Sequence, residues 1–128
     1  MILDTSALVA ILFREPEAET FVRRIHAADV ARLSVANFLE LVMALHRLAG
    51  QDSPRLAETF LRRAGVVIEP VTIEQGEWAR QAFLDFGRGR HPARLNFGDC
   101  FAYALAKETG EPLLFKGEDF TKTDVQKA

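Results

Sequence analysis

Four carboxylates carry the chemistry this chain could perform. They are Asp4, Glu40, Asp99 and Asp119, spaced 36, 59 and 20 residues apart. Asp4 directly follows the apolar run Met1–Leu3. Glu40 is the only acid between Asp29 and Asp52, and Phe38, Leu39, Leu41, Val42 and Met43 surround it. Asp99 comes three residues after Asn96, among the small residues Gly98, Ala102 and Ala106, with Tyr103 four residues on. Asp119 follows the apolar stretch Leu113–Phe115, with Glu118 beside it and Asp124 nearby. Each acid also has an ordinary structural use. Asp4 could cap a helix before Thr5 and Ser6. Glu40 could sit with Asn37 and Arg47 on a solvated stripe. Asp99 could complete a capping box with Asn96, and Asp119 could be a surface loop residue. Gathered in one place, the four would repel, so at least one pKa would rise or a cation would be required. Mg²⁺ and Mn²⁺ suit such oxygen ligands, keeping several waters and binding through one or two carboxylates plus substrate phosphates.

Other reactive residue types offer less. The single cysteine, Cys100, has no histidine–acid partnership in sequence and reads as a small core residue. His26 and His46 fall in helical stretches and read as surface residues. His91 lies in the basic segment Gly87–Leu95, which also carries Arg88, Arg90 and Arg94 and leads into the Asp99 helix. Those three arginines could guide phosphates to the acids. The other reading is a solubilising loop. No aromatic residue interleaves them, so base stacking has no support there.

The elements that must position these residues alternate between short strands and longer helices. The pattern predicts a strand over Met1–Leu3 and a short helix over Ala7–Phe13 capped by Ser6. A helix with Pro16 in its first turn follows, running to about Ala27 with Phe21, Val22 and Ile25 on one face. Arg32–Val35 is a weak strand or a connector. The helix Ser34–Ala49 carries Phe38, Leu41, Val42, Leu45 and Leu48 at helical spacing and stops at Gly50. Ser53 and Pro54 begin another helix, ending at Gly65. Val66–Ile68 reads as a buried-type strand ending near Val71. Thr72 with Gln75 starts a helix to about Phe86, and Asn96 caps a last one ending before Gly110. Pro112–Phe115 is the closing strand. The sum is one domain over residues 1–128, an α/β chain with helices on both faces of a short, mostly parallel sheet. Such sheets place their sites at the carboxyl ends of the strands, where Asp4 and Asp119 stand.

The residues resemble a known family. Ile2-Leu3-Asp4-Thr5-Ser6-Ala7 resembles the opening of the PIN domain, as found in VapC-type toxins of bacterial toxin–antitoxin pairs. Glu40 matches the internal glutamate on an apolar helix. Asn96–Ala106 resembles the second aspartate motif, and Pro112–Phe120 the closing strand and acidic turn. The likeness covers essentially the whole chain. It implies a three-layer α/β/α PIN-like fold and a metal-dependent endoribonuclease that hydrolyses RNA phosphodiester bonds. Asp4 and Asp99 would ligate Mg²⁺, with Mn²⁺ a substitute. Glu40 would complete the cluster directly or through water, and Asp119 would be the fourth acid, with Glu118 its rival. Thr5 or Ser6 would contact a metal-bound water or a phosphate, or else cap a helix. The partners implied are RNA, a second copy in a homodimer, and a VapB-like antitoxin held in an apolar groove. Pro16–Ala27 and Ser34–Ala49 are candidate walls for that groove.

Composition bounds the alternatives. The chain has 128 residues, 48% hydrophobic and 27% charged, which excludes a disordered tail or a fibrous repeat. A net charge of −2 argues against binding nucleic acid by bulk electrostatics. The longest apolar run, Ala7–Phe13, is far below the roughly 18 residues of a membrane span. No basic segment precedes an apolar one at the start, so the expected location is cytoplasmic, without membrane association. A response-regulator receiver would need an aspartate where Thr72 follows the middle strand. A haloacid-dehalogenase phosphatase would need one at Ser6. The remaining alternative is a catalytically inactive PIN-like module kept for protein binding; the presence of all four acids argues against it.

Overall fold

The computed structural model describes residues 1–50 and 53–128, and side chains from residue 55 onward in the second span. In chain order the elements are β1 (Ile2–Leu3), α1 (Thr5–Leu12), α2 (Ala18–Ala27), β2 (Arg32–Ser34), α3 (Val35–Ala49), α4 (Ser53–Arg63), β3 (Val67–Glu69), α5 (Ile73–Phe86), α6 (Phe97–Thr109) and β4 (Leu113–Leu114). A 3₁₀ turn over Asp119–Lys122 follows. The cap expected at Ser53 and Pro54 lies outside the described side chains.

The strands form one parallel sheet in the order β3-β2-β1-β4. Successive strand side chains point to opposite faces, and the core divides accordingly. Ile2 and Leu113 pack with α5 and α6 residues such as Ala82, Ala102 and Leu105. Leu3 and Leu114 pack with α1 to α4 through Leu8, Phe21, Leu41 and Leu61. Helices therefore cover both faces, as the alternating pattern predicts. Because β1 is central and β4 its neighbour, their carboxyl ends deliver Asp4 and the segment after Phe115 to the same edge.

Several local expectations change. Asp4, not Ser6, caps α1: its side chain accepts from the Ser6 backbone N–H. Asp4, Thr5 and Ser6 are all capable caps, and the strand's end decides which one sits at the junction. Pro16 lies in the turn before α2, which begins two residues later at Ala18. Val67 and Ile68 are exposed, at 41% and 42%, because β3 is the sheet edge rather than a buried strand. On α6, Ala102, Tyr103 and Ala106 are packed in the core, so the face around Asp99 is open only at its first turn. Among the described residues, no helix is long and apolar enough to cross a membrane.

Candidate active site

Asp4, Glu40, Asp99 and Asp119 all line one cavity of about 600 Å³ at the carboxyl edge of the sheet. Four separate elements deliver them: the end of β1, the middle of α3, the first turn of α6, and the 3₁₀ turn after β4. Thr5 and Ser6 line the same space. Glu118 does not; it is exposed, and the Thr121 hydroxyl donates to its carboxylate at 3.2 Å.

Asp4 and Asp99 each divide their labour between two oxygens. Asp4 Oδ2 accepts from the Ser6 backbone N–H at 2.8 Å and from Ser6 Oγ at 2.5 Å. Its Oδ1 is buried and has no hydrogen-bond partner. Asp99 Oδ2 accepts from the Asn96 N–H at 2.8 Å, and Asn96 Oδ1 accepts from the Asp99 N–H at 2.9 Å. This is a reciprocal capping box. Asp99 Oδ1 accepts no hydrogen bond among the described residues. So capping a helix and lining the cavity are compatible: one oxygen of each carboxylate closes a helix start, and both residues border the same space.

Electrostatics follow from burial and crowding. Burial pushes Asp4 up to about 6; hydrogen bonds from Ser6 oppose it, and the Glu40 charge adds to it. Burial pushes Asp99 up to about 7, against the Asn96 hydrogen bond, with Asp4, Asp119 and Glu40 contributing repulsion. The sequence predicts the rise from repulsion, yet desolvation is the larger cause at both positions. Among the described residues, none of the four acids has an ion pair: Arg47 stands at the cavity wall without pairing to them, and Lys116 is engaged by Glu15 and Glu17. Its backbone N–H donates to Ser6 Oγ at 3.0 Å, which fixes that hydroxyl toward Asp4.

Glu40 is held from two sides. Thr5 Oγ1 donates to its Oε2 at 2.5 Å and Asn37 Nδ2 at 3.2 Å. Asn37 is fully buried rather than on a solvated stripe, because α3 crosses the start of α6 on that side. Arg47 does stay exposed and reaches the cavity wall. Sequence reasoning assigned neither residue to the site. The signal available for Asn37 was its position one turn before Glu40.

The basic loop does not reach this cavity. Arg90 lies over the Phe83 ring at 5.6 Å and donates to the Leu84 carbonyl at 3.2 Å. Arg88 lines a neighbouring, largely apolar cavity of about 560 Å³ with Phe83, Phe97 and Phe101. Arg94 is exposed and sits at φ 56°. His91 accepts from the Ala93 N–H through Nδ1 and meets Phe86 edge-on, a structural role. Cys100 is buried and its thiol is pushed up to about 11 by burial and by Asp99, which disfavours the reactive thiolate.

The family model of the PIN domain matches residues 1–126. This chain belongs to the PIN-domain family. Its PIN domain is 48% identical over 129 residues to Ribonuclease VapC28 of Mycobacterium tuberculosis, covering 100% of this chain and 97% of that relative. It is 46% identical over 125 residues to Ribonuclease VapC of Mycolicibacterium smegmatis, covering 98% and 97%. The PIN fold also matches the crystal structure of Mycobacterium tuberculosis VapC20, described as a sarcin-ricin loop cleaving toxin. The TM-score is 0.77 at 20% identity, covering 99% of this chain and 97% of that one.

The chemistry of the donor set suits a hard divalent ion. Asp4 Oδ1 is a buried oxygen lacking a donor, and among the described residues the carboxylates around it form no ion pair. Among the described residues, no three acid, histidine or cysteine side chains close up tightly enough to hold an ion unaided. An ion bound here would therefore take part of its shell from water or substrate.

Proposed function

We propose that this PIN domain is a divalent-metal-dependent endoribonuclease, the toxin of a VapBC-type pair, acting on RNA phosphodiesters with Mg²⁺ or Mn²⁺. The observation that carries the reading is the buried, unpartnered Oδ1 of Asp4 in a residue that lines one cavity with Glu40, Asp99 and Asp119. Relatives at 44–48% identity named as VapC ribonucleases support it.

Asp4 and Asp99 would hold the ion. A bound divalent cation supplies an activated water and neutralises charge building on the phosphate and the leaving oxygen. The chain's own residues set the conditions. Ser6 and Asn96 fix the two aspartates, so their free oxygens need no reorganisation. Burial keeps both carboxyls near neutrality in pKa, so ion entry displaces protons. Glu40 and Asp119 add negative charge around the same space, with Asp119 rather than Glu118 as the fourth acid. Arg47, at the cavity wall, is placed to meet a flanking phosphate.

Two surfaces suit protein partners. Leu39, Met43 and Phe97 stand exposed, at 58%, 62% and 81%, beside the acid cavity, where a second copy of the chain would cover them. Leu12, Val22, Leu56 and Phe60 line a groove between α1, α2 and α4, edged by Arg14, His26 and Arg63. An acidic amphipathic antitoxin helix would fit it.

The test is cleavage of a mixed RNA pool by the purified chain with Mg²⁺, Mn²⁺ or chelator, alongside Asp4→Asn and Asp99→Asn. Metal-dependent cleavage lost in both variants is expected. Cleavage that survives both variants, or none by the folded wild type on total cellular RNA, overturns the reading.

A further inference from the structure

We propose that Asn37 is the positioning residue of this site: its buried amide clamps the Glu40 carboxylate against the first turn of α6, so that Glu40 meets the cation in one fixed pose. The proposal rests on the cation-binding reading above and names a residue that acts through Glu40 rather than on substrate.

The geometry is unusually determinate. Asn37 Nδ2 donates to the Gly98 carbonyl at 3.0 Å and to Glu40 Oε2 at 3.2 Å, with Thr5 Oγ1 at 3.4 Å. A backbone carbonyl only accepts, so the nitrogen of the amide must face Gly98. Thr5 Oγ1 in turn donates to Glu40 Oε2. Donors therefore run in one direction, from Asn37 and Thr5 into the carboxylate. Gly98 completes the clamp. A Cβ there would collide with the Glu40 carboxylate, so that group lies directly on the α6 backbone. Three elements meet at one carboxylate: α1 through Thr5, α3 through Asn37 and α6 through Gly98.

The arrangement has a cost that packing alone does not explain. Asn37 is fully buried, and its Oδ1 has no partner. A buried acceptor left unpaired opposes folding, and an apolar side chain of similar size would avoid it. What an apolar residue could not supply is the pair of N–H donors. Groups that orient a metal-site carboxylate in this way typically change metal affinity or activity by about 10–100-fold when removed.

The experiment is a double-mutant cycle read by Mn²⁺ titration, using electron paramagnetic resonance of free Mn²⁺, on Asn37→Ala, Glu40→Gln and the double variant. RNA cleavage is measured alongside, and a cooperative melt confirms each fold. Asn37→Ala is expected to weaken Mn²⁺ binding about 10-fold and to lower kcat with little change in KM. In the Glu40→Gln background the same change is expected to do nothing further to Mn²⁺ affinity. Additive losses in the double variant, or wild-type Mn²⁺ affinity in Asn37→Ala, overturn the clamp. Should Asn37→Ala fail to fold, Thr5→Val and Thr5→Ser test the same carboxylate. Loss in the first with retention in the second supports the clamp, and equal behaviour of the two overturns it. Mn²⁺ binding without RNA cleavage by the wild type would sink the nuclease reading and leave the clamp standing.

Discussion

The two ends of the sheet treat their acids in opposite ways. At the amino ends, Glu111 accepts from Arg32 at 2.8 Å and from the Met1 amine, and Arg32 also reaches along the sheet to Glu69, the last residue of β3, at 2.5 Å. Burial works to raise Glu111, but its hydrogen bonds to the Met1 amine and Arg32 win and hold it below the usual range. At the carboxyl ends, Asp4 and Asp99 are more deeply buried and form no ion pair among the described residues, and both rise. Same residue class, same sheet, opposite sign: the difference lies in how deeply each acid is buried and whether a counter-charge is built in beside it. The amino end contributes to stability, whereas the carboxyl end gives stability up, the trade expected of an active site on the proposed reading.

The comparison can be broken most forcefully at Asp99. Asp99→Asn should reduce RNA cleavage by more than the roughly 100-fold typical of a residue outside the ligand set. The same variant should be more stable than wild type without metal at pH 8, by up to about 2–4 kcal/mol. A denaturant melt reads the second effect, and a less stable variant would contradict it. The sign follows from the raised pKa. A carboxyl lifted to about 7 in the fold, against 3.8 unfolded, penalises the ionised folded state above pH 7. That penalty disappears as pH falls from about 7 toward 4. The metal-free wild type should thus gain stability on mild acidification, peaking near pH 5. A Tm profile from pH 8 to 4 reads this, and a monotonic fall would refute it.

Adding the missing counter-charge should erase the contrast. At a hundred times its Kd, Mg²⁺ or Mn²⁺ would stabilise the chain by about 2.7 kcal/mol. The gain should grow between pH 6 and 8 as Asp4 and Asp99 ionise, and should vanish in Asp4→Asn. At the other end, Glu111→Gln should lower stability by about 1 kcal/mol at neutral pH and leave cleavage intact. Its contribution, from a depressed pKa, is lost as pH falls through that value. The smallest effect is expected at Glu118. Glu118→Gln should leave RNA cleavage within about twofold of wild type, while Asp119→Asn lowers it by about 10-fold or more.

How much of this was legible depended on whether a residue's role is fixed locally. The alternation of strands and helices, and the acids following strands, are patterns within the chain, and they led to the parallel sheet and its carboxyl edge. Asn96 with Asp99 announced its capping box in four residues. Asn37 could not be read this way. Whether a polar residue one turn from Glu40 faces water or a neighbouring helix depends on where α6 crosses α3, a long-range fact. The same holds for Val67 and Ile68, which read as buried until the sheet order leaves β3 at the edge. The Arg88, Arg90 and Arg94 loop is close to Asp99 in sequence, yet it does not line the acid cavity.

The capping role of Asp4 also bears on heredity. Asparagine caps a helix about as well as aspartate, so replacing Asp4 with asparagine removes a charge without removing the turn that starts α1. On the proposed function, one substitution would therefore separate a working copy from a folded, silent one. Such a copy would keep every surface that partners recognise, and could persist in a genome as a decoy competing for the same companions.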